Sequence, residues 1–303
     1  MTKPSEPIVF FGSGPVAKAS LDALAQHCPI EAVVTKASTS AEMAAGLSDI
    51  PQHLVKNKAE LTALLAAQPF ESTLGIIVDF GIIVEQAVID YFPLGIINAH
   101  FSLLPAWRGA DPISFSILSG DTETGVSLML INVGLDEGQL LAQENLPIDA
   151  SDTTASLTDK LIRLSNDMLS RYLPLYRSGK LLPFDQPDQP VTYSRKLTKE
   201  DGLIDWTKPA VEIERSIRAF QPWPKSTTTL GGLQMTISRA RLDPEIPADQ
   251  PASKPAGTPE IVGKNGLRVY CGRGALLLDE VTPAGKKTMT SAALLAGHRQ
   301  KFI

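Results

Sequence analysis

Asn98 and His100 stand two residues apart, just after the apolar run Leu94, Ile96 and Ile97. That run predicts a short buried strand. Side chains alternate along a strand, so the asparagine and the histidine point the same way. A strand ending near Ala99 leaves both at its carboxyl end, where open α/β sheets place their ligands. Such a pair suits a reaction at a carbonyl carbon. The imidazole can accept or relay a proton near neutral pH, and the amide can donate a hydrogen bond to a developing oxyanion. From residue chemistry alone, a structural and a catalytic histidine are equal alternatives. Pro105 and Gly109 then mark irregular backbone on either side of Trp107 and Arg108.

The elements that must position this pair follow from periodicity. Apolar stretches at 8–11, 32–35 and 73–78 read as strands, and helical patterns follow at 16–25, 60–67, 85–91 and 113–119, the last closed by Gly120. Strands alternating with helices predict an α/β fold with a doubly wound, mostly parallel sheet. The turn Gly12-Ser13-Gly14-Pro15-Val16-Ala17 has the outline of a dinucleotide-binding turn. That fingerprint wants an acid at the end of the second strand. Here the strand ends in Lys36 and Glu31 lies at its start, so the glycines are read as a tight strand–helix turn without a nicotinamide. A further strand is expected at 125–131 and a long packing helix at 155–175. Pro, Asp and Gln crowd 179–190, the mark of a linker. Beyond it a helix at 210–220 precedes short β-like segments at 227–230, 234–237, 267–271 and 275–278, which suggest a small barrel. The proline-rich stretch 243–259 is expected to be a surface loop. Two domains are expected, 1–190 and 204–303, with the linker beginning near 179.

A chain of 303 residues with 43% apolar and 20% charged residues supports a real core. Two cysteines, Cys28 and Cys271, cannot build a disulfide framework and are expected to be free thiols. The four histidines, His27, His53, His100 and His298, are dispersed, and no metal site is expected. The amino terminus lacks the shape of a signal peptide. The longest apolar run, 74–84, is broken by Asp79 and Gly81, so no membrane span is expected, and a cytoplasmic monomer is the expectation. Net charge hides an asymmetry: residues 206–303 carry 14 basic and 8 acidic side chains (+6), and residues 1–205 carry 14 and 25 (−11). A basic half beside an acidic one suggests an anionic partner, although on charge alone basic residues scattered over a solvated face are the better account.

The run Asn98-x-His100-x-Ser102-Leu103-Leu104-Pro105-x-Trp107-Arg108-Gly109-Ala110-x-Pro112-Ile113 resembles the formyltransferase family that uses 10-formyltetrahydrofolate. Residues 133–140 resemble that family's second signature, with Asp136 between glycines. Residues 79–84 resemble its folate-pocket segment, with Val84 where the family usually has proline. Residues 193–206, Gln221-Pro222-Trp223-Pro224 and the tail from Pro283 to Met289 are similar to its carboxy-terminal region. The resemblance covers nearly the whole chain and is weakest over 12–60.

The resemblance implies a Rossmann-like formyltransferase domain followed by an OB-like barrel that helps to hold tRNA. It also implies transfer of a formyl group from 10-formyltetrahydrofolate to the free amine of initiator methionyl-tRNA, for translation initiation. Asn98, His100 and Asp136 are then catalytic. Asp136 orients His100 and supports its imidazolium form, since a nearby carboxylate raises a histidine pKa. Ser102, Leu103, Leu104, Pro105, Phe80, Gly81, Ile82 and Ile83 are the expected folate contacts. Glu137 and Asp149 are left as surface charge, and Trp206 and Trp223, which could also form a stacking platform, are assigned to core packing. Family members that act on this tRNA carry a longer Arg/Lys/Gly-rich loop after the second strand. This chain has Ser38-Thr39-Ser40-Ala41-Glu42-Met43 instead. Phosphate contacts are therefore sought at Arg239 and Arg241, spaced to share a strand face, and at Lys286 and Lys287. Two alternatives stand beside this reading: a sugar-nucleotide amine formyltransferase of the same fold, and an inactive folate- or tRNA-binding relative.

Overall fold

A computed structural model describes residues 6–40, 43, 49–67 and 70–303. Ala41 and Glu42, which mark the missing basic loop, and Met1–Ser5, read for a signal peptide, lie outside the described residues.

A seven-stranded sheet runs in the order β3-β2-β1-β4-β5-β7-β8. Its strands are β1 (Ile8–Gly12), β2 (Ile30–Lys36), β3 (Gln52–Val55), β4 (Gly75–Val78), β5 (Ile96–His100), β7 (Glu123–Leu130) and β8 (Leu140–Pro147), while the short β6 (Arg108–Gly109) and β9 (Tyr193–Ser194) pair with each other in parallel. The first five are parallel, and β7 and β8 continue the sheet antiparallel. Every residue of β1 is buried, because helices cover both faces, and that is why Ile8-Val9-Phe10-Phe11 shows no polar alternation. On one face Val9, Phe11, Val34, Ile77 and Ile96 pack with Leu61, Leu65 and Phe92, and Phe11 meets Phe80 and Phe92 edge-on.

The first turn is tight for a packing reason. A Cβ at Gly12 would lie 2.6 Å from the Ala17 Cβ and 2.8 Å from the Val78 carbonyl oxygen. Glu31 has a structural task in place of a ribose contact: its carboxylate accepts the backbone N–H groups of Glu71 at 2.7 Å and Ser72 at 2.8 Å.

The chain divides into two compact units. One gathers the described residues of Met1–Pro112 with Glu123–Pro147 and Thr158–Ser194; the other holds Ile113–Thr122, Ile148–Leu157 and Arg195–Ile303. Two early excursions of the chain are thus built into the second unit. Arg215 donates to the Ser119 carbonyl at 3.0 Å, Arg218 to the Asp152 carbonyl at 2.8 Å, and Thr154 to the Ala219 carbonyl at 2.6 Å.

The sheet of the second unit is antiparallel, in the order β10-β11-β14-β13-β12 with β15 on β14. These are β10 (Ser226–Leu230), β11 (Leu233–Leu242), β12 (Pro259–Val262), β13 (Gly266–Tyr270), β14 (Ala275–Pro283) and β15 (Met289–Thr290). The helix Ala210–Ala219 buries Ile213 and Ile217 against Ile237, Leu267, Leu276 and Val281. The stretch 243–259 is pinned at its start: the buried Asp243 accepts from Arg268 Nε, and Arg268 also reaches Glu245 and Glu260.

Candidate active site

Residues 96–100 form β5 as expected, and Ile97 and Ala99 are buried on the face opposite Asn98 and His100. Asn98 pairs with Ile77 of β4 and Met129 of β7, and His100 with Ser127. Among the described residues, none hydrogen-bonds the Asn98 side-chain amide, which is half-buried.

After His100 the chain folds back in a compact loop. The Ser102 hydroxyl donates to the Ala106 carbonyl at 2.6 Å. Ser127, on β7, donates to the Ser102 carbonyl at 2.7 Å and accepts the Leu104 N–H at 3.1 Å. Gln143, on β8, donates to the Leu104 carbonyl at 2.9 Å. The loop returns the Trp107 carbonyl to within 3.0 Å of His100 Nε2. A carbonyl only accepts, so Nε2 carries the proton and the neutral ring leaves Nδ1 bare. Nδ1 lies 3.7 Å from Asp136 Oδ2. Burial pushes the His100 pKa below the usual histidine range, against the opposing pull of Asp136 and of the Trp107 carbonyl. The resting ring is therefore neutral. The carboxylate expected to support the imidazolium form is in place, but desolvation outweighs its pull on the resting ring.

Asp136 sits on the β7–β8 loop with φ 52°, a left-handed conformation that aspartate tolerates better than most residues. Its Oδ2 accepts the Gly109 N–H at 2.7 Å. Gln186 holds the loop from behind, donating to the Asp136 carbonyl at 2.7 Å and the Gly138 carbonyl at 3.0 Å. Arg108 donates to Gln186 at 2.8 Å and to Glu137 at 3.2 Å, so Glu137 is a partner of the motif arginine as well as a surface charge. Gln186 and Thr192 were invisible in the sequence, since both lie in or after linker-like composition. Thr192 accepts the Trp107 N–H at 2.9 Å. The one available signal was the motif's Arg108, a charged side chain that required a partner.

The eight expected folate contacts divide sharply. Ser102, Leu104, Pro105 and Phe80 are buried, and Leu103 and Ile82 are half-buried. Gly81 and Ile83 are exposed, Ile83 by 77%. Val133 and Leu135, on the Asp136 loop, are also exposed apolar side chains.

In the second unit, Arg239 pairs with Glu280 at 3.0 Å and Arg241 with Asp279 at 3.0 Å, while Lys286 and Lys287 are exposed and form no ion pair with a described residue. Trp206 packs on the core and donates to Thr228 at 2.9 Å, as a packing residue should. Trp223 does not: it is 56% exposed, which corrects its assignment to the core. Among the described residues no His/Cys/Asp/Glu cluster could hold a metal, and no helix is long and apolar enough to cross a membrane.

Residues 7–173 match the family described as formyl transferase, and residues 196–299 match the formyl transferase C-terminal domain. The methionyl-tRNA formyltransferase of Myxococcus xanthus is 41% identical over 224 residues, 74% of this chain and 70% of that protein. That of Stenotrophomonas maltophilia is 36% identical over 304 residues, covering 96% and 97%. Among solved structures, the N-formyltransferase from Helicobacter canadensis in complex with folinic acid and dTDP-3-aminofucose aligns with a TM-score of 0.68 at 18% identity, over 90% of this chain and 98% of that one. HypX from Aquifex aeolicus in complex with tetrahydrofolic acid aligns with a TM-score of 0.63 at 14% identity, over 97% of this chain and 47% of that one. At these identities the structural likenesses concern the fold.

Proposed function

The chain belongs to the formyl transferase family, and from that premise we propose that it transfers the formyl group of 10-formyltetrahydrofolate to the free amine of initiator methionyl-tRNA. The site observation that carries this is the neutral His100, with Nε2–H fixed on the Trp107 carbonyl and bare Nδ1 3.7 Å from the Asp136 carboxylate. The methionyl-tRNA acceptor is supported by relatives of that name aligned over most of the chain.

The folate supplies an electrophilic formyl carbon on N10. Asn98 donates its free amide N–H to the formyl oxygen, where negative charge develops as the amine attacks and the new C–N bond forms. His100 Nδ1 takes the proton of the attacking nitrogen. The imidazolium so formed lies between the Asp136 carboxylate and the Trp107 carbonyl, both of which stabilise it. His100 then returns the proton to N10 as the C–N10 bond breaks, leaving formylmethionyl-tRNA and tetrahydrofolate. Ile83, Val133 and Leu135 offer apolar surface to the folate ring. With that acceptor, the enzyme is expected to act at translation initiation, in the cytoplasm.

The test is formylation by purified protein with charged initiator tRNA and, in parallel, with a dTDP-amino sugar. Formyl transfer to tRNA alone is expected. Transfer to the sugar alone would replace the acceptor, and transfer to neither would leave an inactive relative.

A further inference from the structure

Trp223 is half exposed on a turn that is otherwise firmly seated. The Lys225 N–H donates to the Phe220 carbonyl at 2.8 Å, and Gln221 Nε2 donates to the Ile217 carbonyl at 2.9 Å. Pro224 is buried beside Gly202, where a Cβ would lie 2.2 Å from the Lys225 carbonyl oxygen and 3.4 Å from Pro224 Cγ. The turn is thus docked on the 3-10 turn Glu200–Gly202. Among the described residues none hydrogen-bonds the Trp223 indole. Lys225 follows it in the same turn, and Lys199 opens the turn beneath. Both lysines are exposed and neither forms an ion pair with a described residue.

A large aromatic face held open by ordered backbone, with unpaired ammonium groups on both adjoining turns, is what single-stranded nucleic acid binds. Bases stack on the ring, and phosphates meet the lysines. We propose that Trp223, with Lys199 and Lys225, is a stacking site for an unpaired base of the aminoacyl-tRNA. The proposal rests on the tRNA reading given above. It also supplies positive charge on a chain that lacks the basic loop after its second strand.

The experiment compares Trp223→Ala, Trp223→Phe and Lys225→Ala with the wild type in formylation kinetics and tRNA binding across a salt series. Losing one stacked base should raise the KM and Kd for tRNA roughly 5- to 150-fold. The KM for the folate should stay unchanged, as should the slope of log affinity against log salt. Trp223→Phe keeps a smaller ring and should lose less. Lys225→Ala should instead flatten the salt slope by a little under one unit, about the value of one phosphate contact. Circular dichroism and thermal melts check that the variants are folded, and the Phe variant serves if Ala is not. A wild type that formylates methionyl-tRNA, with unchanged tRNA KM in Trp223→Ala, overturns the stacking site alone. A wild type that ignores tRNA and formylates an amino sugar overturns the tRNA reading, and this proposal with it.

Discussion

The proposed chemistry at the residue scale rests on one imidazole whose pKa burial depresses. Asn98→Ala, His100→Ala and Asp136→Ala should each lower kcat by about 10²-fold or more, the range of general acid–base and oxyanion groups. The three losses should be far from additive, because the groups act on one proton and one oxygen. Near-normal turnover in His100→Ala, measured with saturating tRNA, would sink the mechanism. The depressed pKa of His100 also has a stability consequence. Below about pH 6.5 the unfolded chain binds a proton at this residue that the folded chain resists, so the folded state loses stability as pH falls through that value. His100→Asn removes this proton linkage. The stability difference between wild type and His100→Asn, from denaturant titrations, should therefore shift against the wild type on going from pH 7.5 to pH 5 (conditions about one unit or more either side of the usual histidine value). A pH-independent difference would mean that the folded ring titrates like a solvated one.

Loops at the element scale are set by close approach and by buried pairing. The β7–β8 loop returns past β7 so tightly that a Cβ at Gly138 would lie 1.6 Å from the Leu130 carbonyl oxygen. Gly138→Ala should cost ~3 kcal/mol or more, since the clash is with backbone. It should also displace Asp136, so activity should fall more than stability explains. Full activity with a wild-type melting temperature would show that the loop has another solution. In the second unit, Arg268 ties Asp243, Glu245 and Glu260 to β13, and Asp243 is buried. Arg268→Met should destabilise by about 3–5 kcal/mol, because it leaves a buried carboxylate uncompensated. A change of less than about 1 kcal/mol in urea unfolding, the range of exposed pairs, would place the network among surface ion pairs.

Charge acts at the scale of the whole molecule. The +6 of residues 206–303 is not all available to a polyanion, since Arg239 and Arg241 are engaged by Asp279 and Glu280. Lys286 and Lys287, without such partners, should carry more of the phosphate contact. Replacing both lysines by alanine should flatten the salt dependence of tRNA binding by up to about two units of slope and leave folate binding unchanged. Replacing both arginines should change the slope less. The opposite ranking, in filter-binding titrations from low to moderate salt, would show that tRNA strips the arginines from their carboxylates.

Much of this protein was legible in the one-dimensional chain, for local reasons. Apolar runs bounded by turn residues marked the parallel strands, since a strand covered on both faces admits few polar residues. Alternation along β5 put Asn98 and His100 on one side. Resemblance to the family's second signature pointed to Asp136. Other features depended on contacts far apart in sequence, which no periodicity records. Gln186, in what composition marked as linker, holds the Asp136 loop from about fifty residues away. The charge state of His100 depends on how burial balances against Asp136, and that balance exists only once β5 and the β7–β8 loop have met. The same holds for Trp223: its sequence neighbours are prolines that suit either a packed or a presented ring. The folded turn, in which the Lys225 carbonyl comes so close to Gly202 that a Cβ there would lie 2.2 Å from its oxygen, leaves the indole in solvent.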